Sequence, residues 1–232
     1  TYANQSQRLI KQQVRHLSGH YITSETYYLP NMEIWQSKRG AQVIEQREVL
    51  SLMDNVRALL WKIGLPHGIK NNQLRYSYND GMGNSGLETD GQGQLVSYEE
   101  YYPYGGTAIW SSENTVEANY KTIRYSGKER DSTGLYYYGY RYYQPWVGRW
   151  LSADPAGTVD GLNLYRMVRN NPVTLRDPDG RAPSKPNNFA WVKGKEGEKL
   201  NFAGMSLFSM NTQIDEKARC LAKKGIKVVV SL

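Results

Sequence analysis

Residues 122–143 have the sequence TIRYSGKERDSTGLYYYGYRYY, whose pattern is typical of β-hairpins. Two units rich in apolar or aromatic residues, 122–125 and 135–143, flank a polar segment, 128–134, whose Asp, Ser, Thr and Gly favour a turn. Tyrosine suits strands because its ring packs on a pleated surface while its hydroxyl reaches water or the backbone. The stretch therefore predicts stacked β-hairpins with packed tyrosine rings.

The same strand and turn pattern continues towards the N-terminus. Residues 74–78 and 95–102 alternate in polarity, and each run adjoins a turn signal built from Asp and Gly. Residues 8–64 alternate short apolar and polar stretches, and 15 of the 19 tyrosines lie between Tyr76 and Tyr165. These patterns predict a mainly β fold made of tyrosine-rich hairpins.

The sequence changes character after Pro183 and Pro186, where its composition is typical of a linker. Asn211 is a candidate helix N-cap, Gly225 is a candidate helix stop, and residues 226–232 are typical of a buried strand. A helix that leads through Gly into a Val-rich strand is how an α/β domain begins. We therefore expect the start of a truncated α/β domain after the β-rich part.

Charge divides the chain at the same place. Residues 1–181 contain 20 Lys and Arg against 18 Asp and Glu, whereas residues 182–232 contain 9 against 4. A basic segment can indicate nucleic-acid binding. Here, however, the basic residues are scattered among acidic ones and no stripe of aromatic residues and arginine accompanies them. A solvated helix face is favoured, and no nucleic-acid partner is expected.

Several classes of function lack their sequence signals. No run of 18 apolar residues predicts a membrane span, and residues 1–5 lack a targeting pattern. Cys220 alone cannot form an internal disulfide or a zinc site, and the histidines suit surface or loop positions, so no metal or other cofactor is expected. Residues 81–86 match GxGxxG, but a second turn follows instead of a helix, which favours a hairpin loop over a dinucleotide site.

Three residues in the segment 141–181 could carry out chemistry. Asp154 and Asp177 each precede a proline, and Arg141 lies within the tyrosine-rich run. Two Asp-Pro steps can simply be turns, because proline holds the preceding residue extended. The alternative is a catalytic carboxylate pair, in which one protonated Asp is the acid, the other activates water, and arginine holds the charged form.

Longer motifs around these residues resemble a known family. Residues 125–143, the GRWLSADP motif at 148–155 and the NNPV and DPDG motifs within 170–180 are similar to the RHS-repeat-associated core domain. Residues 99–108 resemble the C components of insecticidal Tc toxin complexes. This resemblance implies a hollow β-shell of spiralling YD-repeat hairpins, a core domain that plugs one end of it, and a variable toxin domain that follows.

The resemblance also implies an organisation for this chain. Residues 1–98 would be shell hairpins, residues 99–181 a self-cleaving core domain, and residues 182–232 the start of the toxin domain. The implied partners are the rest of the RHS shell with the Tc B component, the Tc A translocation pore, and the chain's own C-terminal cargo. The implied location is a secreted toxin complex that delivers its cargo to the host cytosol.

Carried over by motif, the resemblance implies an aspartyl-type self-protease. Its acting carboxylates would be Asp154 and Asp177, with Arg141 in support. The cut would fall between Arg181 and Ala182, just after the DPDG motif. Relatives usually have an apolar residue where this chain has Arg181.

The tail has a fainter resemblance of its own. Residues 187–192, 200–205 and 221–232 resemble the N-terminus of small dual-specificity, tyrosine-phosphatase-like enzymes. The Cys-x5-Arg loop of that family does not occur in this chain, so any phosphatase-like cargo is incomplete here. The start of another α/β toxin is the alternative. For the whole chain, an inactive RHS shell fragment and a YD-repeat protein that binds carbohydrate or cell surfaces also stay open.

Overall fold

The computed structural model describes residues 1–3, 7–17, 19–185, 189–193 and 199–205. The chain is mainly β, as predicted. Nine antiparallel strands form one sheet whose spatial order follows the chain. They are β1 (Ile10–Leu17), β2 (His20–Leu29), β3 (Met32–Arg39), β4 (Gln42–Met53), β5 (Val56–Ile63), β6 (Gln73–Asn79), β7 (Ser85–Thr89), β8 (Leu95–Tyr101) and β9 (Thr107–Ser111).

A second, smaller sheet follows the nine-stranded one. Its four antiparallel strands are β10 (Glu129–Arg130), β11 (Tyr136–Tyr137), β12 (Tyr142–Gln144) and β13 (Arg149–Trp150). One helical turn, α1 (Thr115–Ala118), and three 3₁₀ turns (Tyr125–Gly127, Gly157–Asp160 and Val168–Asn170) complete this part. In the described part of the chain, no helix is long and apolar enough to cross a membrane.

Two hairpin turns of the large sheet repeat one local design. The Asp80 Oδ1 atom accepts hydrogen bonds from the backbone N–H groups of Met82 and Asn84, both at 2.9 Å. Asp90 makes the same two bonds to the residues two and four positions further on. Such bonds are the reason Asp favours turns. The GxGxxG segment therefore lies in the β6–β7 hairpin loop and the first two residues of β7, which confirms the prediction of a hairpin loop.

The tyrosine-rich run differs in detail from the prediction. Residues 135–143 do not form one strand unit, because the chain turns between β11 and β12. At this turn Gly139 has a φ of 103°, which favours glycine, and the Tyr138 N–H donates to the Arg141 carbonyl at 3.0 Å. Residues 122–125 form no strand either, and only Ile123 makes an isolated bridge, to Glu129.

Tyrosines form the core beneath the small sheet. The buried cluster consists of Tyr125, Tyr136, Tyr138, Tyr143, Trp150, Met167 and Val168. Three of its hydroxyls donate to three consecutive loop carbonyls: Tyr125 to Pro103 at 2.8 Å, Tyr143 to Tyr104 at 2.8 Å, and Tyr136 to Gly105 at 3.0 Å. The rings thus supply apolar area while their hydroxyls satisfy the β8–β9 loop.

The end of the chain is described only in part. A hairpin of β14 (Phe189–Lys193) and β15 (Lys199–Met205) follows the core. The helix and strand that the sequence predicts over 211–232 lie outside the described residues, as does Cys220. The proposed division of the chain at residues 98 and 181 stays a prediction.

Candidate functional site

The turn at 138–141 directs Arg141 into the protein interior, where the residue is 3 % exposed. Its Nη2 atom lies 2.9 Å from Asp154 Oδ2 and 3.4 Å from Asp177 Oδ2. All three residues singled out from the sequence are therefore brought together around one guanidinium group. Their chemical roles stay a prediction at this point.

The other two nitrogen atoms of Arg141 also have partners. Its Nε donates to the Gly180 carbonyl, and its Nη1 donates to the Leu164 carbonyl at 3.1 Å. The guanidinium also lies over the Trp150 ring, 4.1 Å from the centroid. A planar group with five donors can satisfy such a set at once, whereas a lysine ammonium could not. Arg141 therefore fixes the relative positions of both carboxylates.

Asp177 organises the loop that follows it. Its Oδ1 atom accepts hydrogen bonds from three successive backbone N–H groups, those of Asp179 at 3.2 Å, Gly180 at 2.7 Å and Arg181 at 3.2 Å. Burial raises the pKa of the Asp177 carboxyl, while these amides and the Arg141 cation oppose the rise. Asp177 is thus a buried carboxyl that keeps its proton to higher pH than a free aspartate.

Asp154 combines a turn with the ion pair. Its Oδ1 atom accepts a hydrogen bond from the Ala156 N–H at 2.8 Å, while Oδ2 faces Arg141. Its side chain is 5 % exposed. The two interpretations left open for the Asp-Pro steps are compatible, because each Asp caps its own turn with one oxygen and offers the other to the shared arginine.

The candidate bond, Arg181–Ala182, follows directly after the Asp177 loop. Arg181 Nε lies 2.8 Å from Asp179 Oδ2, and its guanidinium lies over the Tyr140 ring at 4.4 Å. Just beyond, the Ser184 N–H donates to the Arg176 carbonyl at 2.7 Å, and Ser184 accepts in return at 2.9 Å. The bond therefore lies in a short loop that is held on both sides.

Sequence reasoning missed one residue of this site, Lys128. Its ammonium donates to the Pro178 carbonyl, 50 positions further along the chain. The sequence placed it in a polar segment that favours a turn and gave it no role in the site. As for metals, within the part of the chain that the structure describes, no group of three or more His, Cys, Asp or Glu side chains could hold an ion.

No protein-family model matches the chain. Over 186 residues the chain is 54 % identical to the toxin subunit YenC2 of Yersinia entomophaga, a match that covers 78 % of this chain and 19 % of that protein. The chain thus spans about a fifth of the length of this relative.

Two solved structures give the same result. A crystal structure of TcdB2–TccC3 without its hypervariable C-terminal region is 57 % identical, with a TM-score of 0.75, and the match covers 77 % of this chain and 9 % of that one. A Photorhabdus luminescens Tc holotoxin pore with an aspartate-to-alanine substitution in TccC3 is 52 % identical, with a TM-score of 0.76, covering 86 % and 9 %.

The similarity covers more than three quarters of this chain in both sequence and backbone, and the relative from Yersinia entomophaga is a toxin subunit. The tyrosine core and the arginine–aspartate cluster lie within the part of the chain that resembles this family. Over the matched residues, the chain belongs to the family of RHS core domains found in the TccC-like subunits of Tc toxins.

Proposed function

We propose that this RHS core domain cuts its own chain between Arg181 and Ala182 and so releases the segment that follows. The observation that carries the proposal is the position of Arg141. Its guanidinium contacts Asp154, Asp177 and the Gly180 carbonyl, so the carboxylate pair and the backbone two residues before the bond are held by one group. One arginine thus contacts both carboxyls and the backbone that leads to the proposed bond, which supports the proposal.

The proposed reaction is hydrolysis by a water molecule that Asp154 deprotonates. The water oxygen attacks the Arg181 carbonyl carbon, the C–N bond to Ala182 breaks, and Asp177 gives its proton to the leaving nitrogen. Asp177 suits the role of acid because its burial raises its pKa. The proton taken by Asp154 makes up for the one that Asp177 gives. Because enzyme and substrate are one chain, proximity supplies much of the rate.

On this proposal the chain is the C-terminal part of a Tc toxin C component, and the released segment is its toxin cargo inside the shell. The partners are the rest of the RHS shell with a B component, and an A component that forms the translocation pore. The complex is secreted and the cargo is delivered to the host cytosol. Similarity to TcdB2–TccC3 and to the holotoxin pore supports these partners.

The test uses a complete C component that contains this chain. We expect the unaltered protein to separate into two fragments on a denaturing gel, and Asp154→Asn to leave one. Asp160→Asn is the matched control, because Asp160 is also a carboxylate paired with an arginine, Arg169, outside the site. If Asp154→Asn is cut as fast as the unaltered protein, the proposed carboxylate pair is wrong.

An inert shell fragment is the second candidate. Arg181 favours it, since its charged side chain pairs with Asp179 at the position where family members usually have an apolar residue. This candidate predicts that the unaltered protein has the mass of the intact chain and yields no fragment that ends at Arg181.

A further inference from the structure

We propose that Lys128 is a positioning residue for this self-cleavage, one that holds the loop 177–181 against the carboxylate pair. The inference rests on the proposed function and deepens it. The observation behind it is the contact between the Lys128 ammonium and the carbonyl of Pro178, the residue next to Asp177.

Three successive carbonyl groups of the loop each accept a hydrogen bond from a residue earlier in the chain. Lys128 Nζ donates to the Pro178 carbonyl, the Tyr140 N–H donates to the Asp179 carbonyl at 3.0 Å, and Arg141 Nε donates to the Gly180 carbonyl. Two of these donors come from the 138–141 turn. Lys128 comes from a different segment, so it is an independent anchor for the start of the loop.

The backbone N–H groups of the same loop have a different partner, the Asp177 carboxylate. The N–H groups of residues 179, 180 and 181 all donate to Asp177 Oδ1. Pro178 has no N–H group and cannot join that set. Its carbonyl is therefore the group through which this first peptide of the loop is fixed, and that carbonyl accepts from Lys128.

The local backbone directs Lys128 towards the loop. Ser126 has a φ of 54° and Gly127 a φ of 66°, so the 3₁₀ turn ends in two left-handed residues. The positive φ of Gly127 favours glycine at this position. Lys128 leaves this turn with extended backbone, and its ammonium lies 5.2 Å from the centre of the Tyr138 ring.

Charge adds a second effect to the anchor. The Lys128 ammonium is attracted by Asp177 and Asp179 and repelled by Arg176, and its partial burial lowers its pKa. Asp177 in turn faces the cations of Arg141, Lys128 and Arg181, and it shares Arg141 with the Asp154 carboxylate. Loss of the Lys128 cation should make the Asp177 proton harder to remove. The pH profile of cleavage should therefore move to higher pH, besides any loss of rate from a looser loop.

The experiment follows cleavage over time in a complete C component that contains this chain, from about pH 5 to about pH 8. We expect Lys128→Met to cut about 10- to 100-fold more slowly, the range for a small misplacement of reacting groups, with its profile shifted to higher pH. Lys128→Arg keeps the charge and a donor, so it should recover most of the rate. Lys70→Met is the matched control, because Lys70 is an exposed lysine between β5 and β6, and this variant should be cut at the unaltered rate.

Slow cleavage of Lys128→Met could also result from poor folding of the variant, and a second measurement separates the two causes. In the uncut Asp154→Asn background, Lys128→Met should speed hydrogen exchange of the amides of residues 179–181 while leaving the β6–β7 amides unchanged. An unaltered cleavage rate and pH profile in Lys128→Met, or unaltered hydrogen exchange at residues 179–181, would overturn the inference about Lys128 and leave the proposed function standing. Cleavage that persists in Asp154→Asn would overturn the proposed function instead.

Discussion

Removal of one phenol oxygen tests whether hydroxyl groups hold the tyrosine core to the β8–β9 loop. Tyr136 is 0 % exposed, and its hydroxyl donates to the carbonyl of Gly105, which is itself buried. Burial raises the pKa of Tyr136 to about 12, so the group remains a donor at every ordinary pH. Tyr136→Phe keeps the ring and leaves the Gly105 carbonyl without this donor.

The cost follows from the kind of bond that is lost. A buried acceptor left without its partner destabilises a protein by about 1–3 kcal/mol. With a urea slope of about 3 kcal/mol per molar, a loss of about 2 kcal/mol moves the unfolding midpoint down by about 0.7 M. Tyr136→Ala also removes the ring, and a cavity of that size costs about 3–5 kcal/mol.

The assay is urea unfolding followed by near-ultraviolet circular dichroism, which reports the packing of tyrosine rings. Tyr78→Phe is the matched control, because Tyr78 is 55 % exposed and its midpoint should stay the same. An unchanged midpoint for Tyr136→Phe would refute the reasoning, since the hydroxyl bond would then contribute nothing. A loss as large as that of Tyr136→Ala would refute it too, because the ring would then not be packing independently.

Three further outcomes are expected. Because burial raises the pKa of Asp177 and the reaction needs its proton, the cleavage rate should fall as pH rises through that pKa; a rate that rises steadily with pH contradicts this. Arg141→Lys keeps the charge but cannot make all four polar contacts, so cleavage should slow by about 10-fold or more, and an unaltered time course on a gel would count against it. The ammonium of Lys121 lies 3.2 Å from Glu99 Oε2, and both side chains are 0 % exposed. Lys121→Met removes this cation and should lower the free energy of unfolding in urea by about 3 kcal/mol. An unchanged free energy of unfolding would show that Arg124 alone is enough to pair with Glu99.

Local patterns explain what the sequence predicted correctly. The alternation of strands and the Asp-Gly turn signals act over a few residues, so the β6–β7 loop could be assigned without knowledge of the fold. Asp154, Asp177 and Arg141 could be singled out because Asp-Pro steps and an arginine among tyrosines are visible as motifs. The resemblance implied that Arg141 supports both carboxylates, whereas its contacts with the Gly180 and Leu164 carbonyls depend on the fold and could not be predicted.

Long-range contacts explain what the sequence could not predict. Residues 135–143 divide into two strands because Gly139 has a positive φ. The sequence alone does not show whether a glycine within a run of tyrosines has a positive or a negative φ. The hydroxyls of the core tyrosines donate to carbonyls of the β8–β9 loop, and Tyr125, the first of these tyrosines, lies 22 positions after its partner Pro103. Lys128 belongs to the site because the fold brings its ammonium to the carbonyl of Pro178, which lies 50 positions further along the chain.

The most direct test of the central claim is the mass of the fragments from a complete C component that contains this chain. We predict one fragment that ends at Arg181 and one that begins at Ala182 in the unaltered protein, and only the intact mass in Asp177→Asn. The Asn side chain keeps an oxygen for the loop amides, so the fold of the loop is retained while the acid is lost. The same two fragments from Asp177→Asn, at the unaltered rate, would contradict the account.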